Sequence, residues 1–297
     1  MPVNDPQPGE KPYRLIEHMQ VDLPALEKQE RALLELIGGP FPERMNDFAG
    51  FKRVLDVACG AGSWAIEVAQ AHPDLEVVGL AFQSKLMTRA SERARAANLP
   101  NLRFLLLTEQ DQPHLPFPDA TFDLVNSQYL HSWLHTGEWL AFMHECRRVI
   151  RPGGYLRMTE PERGQSTSLA FARLEDLMLQ ALQILGQRLA PDERHIGAAT
   201  RLMYLYRETG WQDITRRAHL TDYGKAGDLS EKPFVRIQLY IQTLKPLLLR
   251  EELVDEEELT ELLQTVRAEM ELPGFAAQRY LITLCGRKAT TSELAQT

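Results

Sequence analysis

The chain has few cysteines, no long apolar run and no excess of positive charge, and each absence excludes a class of protein. Its three cysteines, Cys59, Cys146 and Cys285, form no CxxC pair, so neither a disulfide framework nor a zinc knuckle is predicted. No stretch of about 18 apolar residues occurs, so no membrane span is expected. The 33 basic and 41 acidic side chains give a net charge of −8, which argues against a nucleic-acid partner. The N-terminus lacks the pattern of a secretory signal, and we expect a cytoplasmic protein.

Strand-like and helix-like segments alternate through the middle of the chain, which predicts an α/β fold with a parallel sheet and helices on both faces. The predicted strands are Val54–Val57, Leu75–Leu80, Leu102–Leu107, Phe122–Ser127, Tyr155–Thr159, Trp211–Leu220 and Tyr280–Cys285. We expect a flexible tail at residues 1–12, an N-terminal helical lid at 13–50 and a Rossmann-like cofactor-binding core at 51–160. The remaining divisions are a helical insertion with the last core helix at 161–210, the final strands with an acidic helical insertion at 211–288, and a tail at 289–297.

The most informative segment runs from a β-branched apolar strand into a loop of small residues and then into a helix. Val54–Val57 precedes Ala58-Cys59-Gly60-Ala61-Gly62, and Ser63 begins the helical pattern. Such a segment cradles a nucleotide-like ligand, because small residues let the ligand approach the backbone N–H groups at the helix N-terminus. The spacing Gly60-x-Gly62-x-x-Ala65 also fits the dinucleotide fingerprint. However, Asp56 near the end of the strand would repel a pyrophosphate, which favours a positively charged cofactor over a nicotinamide dinucleotide.

Three motifs in the expected order resemble those of the class I S-adenosylmethionine-dependent methyltransferases, in the small-molecule branch typified by quinone-biosynthesis methyltransferases. They are Asp56-x-Ala58-x-Gly60-x-Gly62, Leu115–Val125 and Val149–Leu156, within a region from about Lys52 to Glu160. The resemblance implies a seven-stranded sheet with an antiparallel final strand. It also implies S-adenosylmethionine as cofactor and S-adenosylhomocysteine as product. The cofactor contacts that it implies are Asp56, Ala58, Cys59, Gly60 and Gly62 in the loop, Leu80, Ala81, Phe82 and Gln83 beside the ribose, and Asn126 near the methionine moiety.

Two positions depart from this family pattern or match it ambiguously. The family's second strand normally ends in Asp or Glu, which binds both ribose hydroxyls, whereas this chain has Ala81 there. A hydrogen bond to a charged group contributes about 1.5–3 kcal/mol. Cofactor binding is therefore either weakened or supported by another side chain such as Gln83. The acid on the adenine side is Glu109 or Asp111, depending on the flanking motif from which one counts.

Methyl transfer by in-line displacement depends on alignment and on exclusion of water, and it needs a general base only where the acceptor holds a proton tightly. His131 follows the fourth predicted strand and is the candidate base or acceptor-orienting group. His135 lies four residues later, at a spacing that could place two imidazoles on one helical face. No third ligand is evident, so no metal site is predicted.

Segments outside the core are expected to select the acceptor. The N-terminal helix, with Tyr13 as a candidate cofactor contact, and the segment Ser166–Leu205 can both fold over the pocket. An apolar stripe at helical spacing is either ordinary core or the wall of a site for a hydrophobic or aromatic metabolite, and it consists of Phe171, Leu174, Leu177, Met178, Leu182 and Leu185. We therefore expect a small-molecule methyl acceptor, no nucleic-acid or membrane partner, and a monomer or homodimer. The alternative is a methyltransferase-fold protein that binds the cofactor or another ligand without methylating, which Ala81 favours.

Overall fold

An eight-stranded sheet forms the centre of the computed structural model, which describes residues 22–108, 114–190, 194–224 and 233–294. The strands are β1 (Arg53–Val57), β2 (Glu76–Ala81), β3 (Leu102–Leu106), β4 (Phe122–Gln128), β5 (Ile150–Pro161), β6 (Gln165–Ser166), β7 (Gln212–Asp222) and β8 (Ala277–Arg287). Their order is β3-β2-β1-β4-β5-β8-β6, and β7 also pairs with β8. Strands β1 to β5 are parallel, whereas β8 runs antiparallel to β5, β6 and β7. The predicted α/β class and the antiparallel final strand are confirmed.

Helices cover both faces of the sheet, which explains why the central strands are apolar along their whole length. The described helices are α1 (Leu23–Ile37), α2 (Ser63–Ala71), α3 (Ser84–Ala96), α4 (Trp139–Val149), α5 (Leu169–Ile184), α6 (Ala198–Glu208), α7 (Pro233–Arg250), α8 (Glu256–Glu269) and α9 (Thr291–Leu294). One apolar core lies between the sheet and α1, α2 and α3, and a second lies between the sheet and α4 and α6. A third apolar cluster joins α5, α7 and α8. None of these described helices is long and apolar enough to cross a membrane.

The prediction of seven strands was wrong by one strand. The additional strand, β6, consists of Gln165 and Ser166, which pair with Gln278 and Ala277 at the start of β8. Two residues are too few to show the alternation that identifies a strand in a sequence. The acidic insertion before β8 contains the helices α7 and α8, and the expected tail at 289–297 contains α9.

The ends of α1 determine where this helix lies over the sheet. Asp22 caps its N-terminus by accepting a backbone N–H bond of 3.1 Å, and Gly38 ends it in the left-handed conformation, with φ of 86°. Its buried apolar side chains pack in the same core as α2. Within the segment expected to form an N-terminal lid, the structure has a helix at Leu23–Ile37. The expected tail at 1–12 and Tyr13 lie outside the described residues.

Candidate active site

The loop between β1 and α2 follows a backbone path that suits small residues. Ala58, Gly60 and Gly62 have positive φ values of 61°, 57° and 85°. Gly62 caps the N-terminus of α2. Glycine adopts this conformation without strain, whereas an L residue such as Ala58 costs roughly 1–2 kcal/mol there. A cavity at the carboxyl end of the sheet is lined by Asp56 and by three residues of this loop, Ala58, Cys59 and Gly60.

Asp56 is a buried carboxyl group held by a chain of polar side chains. Asn126 Nδ2 donates a hydrogen bond of 2.7 Å to Asp56 Oδ1, and Arg157 Nη1 donates one of 3.0 Å to Asn126 Oδ1. Arg157 Nε in turn donates to Glu43 Oε2 at 2.9 Å. Burial raises the pKa of Asp56 to about 8, and the nearby Glu30 carboxyl adds to that increase. Asn126 thus lies behind Asp56, and it is not among the residues that line the cavity.

A second carboxyl group reaches the glycine loop from α1. Glu30 accepts backbone hydrogen bonds from Ala61 N at 2.7 Å and from Ser63 N at 3.2 Å, so it binds the loop and the first turn of α2. Burial raises the pKa of Glu30 as well. Since Glu30 and Asp56 both line the cavity, the loop end of this cavity presents two carboxyl groups and suits a cationic ligand.

Gly60→Ala is expected to lower the free energy of unfolding by about 3 kcal/mol. The alanine would adopt a left-handed backbone, and its Cβ would collide with Glu30 Oε1 and displace that carboxylate from its backbone donors. Urea denaturation of the ligand-free protein measures the loss.

Gly50→Ala is the matched control, because Gly50 has φ of 81° but nothing in the described chain lies within 4 Å of a Cβ placed there. The free energy of unfolding of this control variant should fall by only about 1–2 kcal/mol. The addition of Glu30→Ala should remove the excess cost of Gly60→Ala. Equal losses for the two glycines would contradict the close contact between Glu30 and the loop.

The four predicted ribose-side residues lie together at the end of β2, away from the wall of the cavity. Leu80 and Ala81 are buried, and Ala81 ends the strand opposite Leu106. Phe82 stacks on Trp133, with ring centroids 3.7 Å apart and planes within 5°, and Gln83 occupies the N-cap position of α3. The ribose position at the end of β2 is thus occupied by the buried methyl group of Ala81 and not by a carboxylate. Glu109 and Asp111 lie outside the described residues.

His131 lies in the turn after β4 and forms a buried pair with Glu160 at the end of β5. The distance from His131 Nδ1 to Glu160 Oε2 is 2.9 Å. Glu160 also accepts the backbone N–H groups of Leu130 at 2.7 Å and of His131 at 3.2 Å. Because a carboxylate only accepts, Nδ1 is the nitrogen that donates in this contact, and the neutral form of the imidazole then has its free electron pair on Nε2. His131 lines the same cavity as Asp56 and Gly60, so the structure brings these three predicted residues together.

His135 does not join this pair. Its Nδ1 lies 2.8 Å from the carbonyl oxygen of Leu185, which belongs to the connection after α5. The two histidines therefore contact different parts of the protein, although they are only four residues apart in the sequence.

The helices α1, α5 and α7 complete the cavity, and we call them the lid helices. They contribute apolar side chains to its wall, among them Leu26, Leu34, Leu174, Met178, Ile237 and Ile241. Of the predicted stripe on α5, only Leu174 and Met178 reach the cavity, and the other members pack in the third apolar cluster. The cavity thus combines an acidic loop end, a histidine and a mostly apolar wall.

Sequence reasoning missed Glu30 and Glu160 as residues of this site. Glu30 lies on the face of α1 that carries Leu26 and Leu34, four residues to either side, and an acid among apolar residues is a recognisable signal. Glu160 carried a weaker signal, because it is a single acid near the end of β5, after strand residues that are mostly buried.

A parallel sheet with a glycine loop at its carboxyl edge defines the class of Rossmann-like cofactor-binding proteins. The family described as a methyltransferase domain matches residues 54–154. A demethylmenaquinone methyltransferase of Geobacillus kaustophilus is 30% identical over 183 residues, covering 58% of this chain and 75% of that protein. The 27-O-demethylrifamycin SV methyltransferase of Amycolatopsis mediterranei is 34% identical over 133 residues, which is 45% of each chain. The chain belongs to the class I S-adenosylmethionine-dependent methyltransferases, which confirms the resemblance and the cofactor.

A solved structure supports the fold alone. It is that of phosphoethanolamine N-methyltransferase 2 from Haemonchus contortus in complex with phosphomonomethylethanolamine and S-adenosylhomocysteine. Its TM-score is 0.53 at 14% identity, and the match covers 93% of this chain and 60% of that chain.

The residues of the glycine loop fit this cofactor, whereas Ala81 at the end of β2 does not match the family pattern. S-adenosylmethionine carries a sulfonium and an ammonium group, which match the carboxyl groups of Asp56 and Glu30. Because Gly60 has no side chain, the carboxyl group of Glu30 can lie directly against the loop backbone. Ala81 offers no hydrogen bond to a ribose.

Proposed function

We propose that the protein methylates a hydroxyl oxygen of a small apolar or aromatic molecule, with His131 as general base. The observation that carries this proposal is the buried His131–Glu160 pair on a cavity that it shares with the glycine loop. An oxygen acceptor must lose a proton as it gains the methyl group, and a neutral imidazole with a fixed tautomer is suited to receive it. The name of the Amycolatopsis relative, which refers to an O-demethylated compound, agrees with an oxygen acceptor.

We also propose roles in binding the cofactor and the acceptor for other residues at the cavity that His131 lines. Asp56 and Glu30 would hold the positive end of the cofactor, Asn126 would orient Asp56, and the backbone of Ala58–Gly60 would border it. The bound cofactor supplies an electrophilic methyl group on a sulfonium. The lid helices would exclude water and offer apolar surface to the acceptor.

Transfer of labelled methyl groups to matched compounds tests this proposal. The protein with methyl-labelled S-adenosylmethionine is offered 1-naphthol or 1-naphthylamine, which differ only in the accepting atom. We expect transfer to the naphthol oxygen to be at least about tenfold faster, because a base can remove its proton. Faster transfer to the amine would overturn the assignment of His131 as base.

The second candidate function is cofactor binding without methylation, and the observation that favours it is Ala81 at the ribose position. Calorimetry with S-adenosylmethionine and S-adenosylhomocysteine separates the two functions. Binding of both compounds without methyl transfer to either naphthalene would support this candidate and count against the first.

A further inference from the structure

Three buried hydrogen-bond donors on the wall of the cavity have no partner among the described residues. One is Gln128 Nε2 at the end of β4, next to the turn that carries His131, and the other two are Tyr240 Oη on α7 and Arg279 Nε on β8. A buried donor without a partner costs about 1–3 kcal/mol, so such groups are expected to meet a ligand. Burial raises the pKa of Tyr240, so its hydroxyl stays protonated and able to donate.

Arg279 lies on a strand that is not adjacent to the strand before the glycine loop. Strand β8, which carries Arg279, is separated from β4 by β5 and from β1 by both β4 and β5. With strands spaced about 4.8 Å apart, β8 lies roughly 10 Å from β4, whose end leads to His131. This separation between the two strands is comparable to the length of a two-ring molecule.

The charged residues around the cavity determine whether Tyr240 and Arg279 suit a charged or a neutral oxygen of a ligand. Arg279 Nη2 is paired with Glu175, and Glu175 also accepts the N–H of Gly164 at 2.7 Å, so the guanidinium charge is already balanced. The described charged residues that line the cavity are Asp22, Glu30, Asp56, Glu175 and Arg279. The guanidinium of Arg279 is the one cation in this set and is already paired, so no free positive charge offsets the charge of an anionic ligand, whereas a neutral oxygen accepts hydrogen bonds without that cost.

We propose that Tyr240 and Arg279 form a subsite for a neutral carbonyl oxygen of the methyl acceptor. The acceptor is then an uncharged apolar molecule with a carbonyl group at the end opposite to the methylated atom. This inference rests on the proposed function in taking the cavity as the acceptor site, but it concerns binding and not the chemistry of transfer.

Binding to the S-adenosylhomocysteine-loaded protein tests the subsite with three probes of matched shape. They are 1-acetylnaphthalene, 1-isopropenylnaphthalene, in which a methylene replaces the oxygen, and 1-naphthoate. We expect the ketone to bind about tenfold more tightly than the alkene, and the carboxylate more weakly than the ketone. Equal binding of ketone and alkene, tightest binding of the carboxylate, or no binding of any probe would overturn the proposal.

Conservative variants test whether Tyr240 and Arg279 cause the preference for the ketone over the alkene. Tyr240→Phe should weaken ketone binding about fivefold and leave alkene binding unchanged. Arg279→Lys keeps a cation beside Glu175 but removes Nε, and it should have a similar effect. Tyr204→Phe is the control, because Tyr204 on α6 is exposed and does not line the cavity. An unchanged preference for the ketone in both donor variants would overturn the assignment.

The outcomes separate this proposal from the proposed function. Loss of the oxygen preference in wild type overturns the subsite and leaves the comparison of naphthol with naphthylamine unaffected. Preferred methylation of the amine, together with a retained ketone preference, overturns the role of His131 and not the subsite.

Discussion

His131→Asn is expected to lower the turnover number for an oxygen acceptor by about 10²–10⁴-fold while the affinity for S-adenosylmethionine stays unchanged. His131 Nδ1 is fixed by Glu160, so only Nε2 is available to take the proton, and asparagine offers no comparable base. The rate of labelled methyl transfer to 1-naphthol measures the loss. In the variant this rate should rise about tenfold per pH unit below the pKa of the naphthol, because the acceptor must then ionise without help.

Glu160→Gln tests whether the two side chains act as one unit. The amide group of glutamine can donate to Nδ1, which would move the imidazole proton to Nε2 and remove the base. We expect a loss within about tenfold of that in His131→Asn, and little further loss in the double variant.

His135→Asn is the control, because His135 bonds to the carbonyl of Leu185 and is not on the wall of the cavity. Equal losses at His131 and His135 would contradict the assignment. So would a His131→Asn enzyme whose transfer rate and pH profile match those of wild type.

The sequence predicted the parts of the site that are contiguous in the chain. The strand, the loop and the start of α2 occupy one short segment, so the spacing of Asp56, Gly60 and Gly62 was enough to predict the loop at the carboxyl edge. The cofactor followed from the same motif, and membership in the methyltransferase family confirms it.

The pairing of His131 with Glu160 depends on a contact between distant parts of the chain. Strands β4 and β5 are parallel neighbours, and Gln128 pairs with Thr159, so the residues that follow this pair in each chain segment lie at the same edge of the sheet. The family resemblance implied a sheet with an antiparallel final strand, but it did not imply which strands are neighbours or in which register they pair. A shift of one residue in the register would reverse the direction of each side chain.

The position of Glu30 required the packing of a whole helix. It lies 31 residues before Ala61, and the crossing of α1 over the loop depends on apolar contacts with α2 that no local pattern specifies. The two-residue strand β6 was missed for the opposite reason, since it is too short to carry a pattern.

Asp56→Asn is expected to abolish measurable cofactor binding and, at the same time, to stabilise the ligand-free protein. The pKa of Asp56 is raised by burial to about 8 in the folded protein, well above its ordinary value of 3.8. Between these two values the folded protein retains a proton that the unfolded chain loses, so Asp56 destabilises the fold increasingly as the pH rises. The stability difference between the Asn variant and wild type should therefore grow by about 1.4 kcal/mol per pH unit up to about pH 8. Urea denaturation at pH 6, 7 and 8 measures it.

Cofactor binding by wild type should consequently release a proton. A cationic cofactor beside Asp56 favours the carboxylate and lowers its pKa, so binding at pH 7 should release close to one proton, and affinity should increase with pH until about pH 8. Calorimetric titration in two buffers with different heats of ionisation counts that proton. Asp74→Asn is the control, because Asp74 is exposed in the turn before β2 and its substitution should change neither the proton count nor the affinity. If wild type binds S-adenosylmethionine without releasing a proton at pH 7, or if Asp56→Asn binds it equally well, then Asp56 is not the group that receives the positive charge of the cofactor.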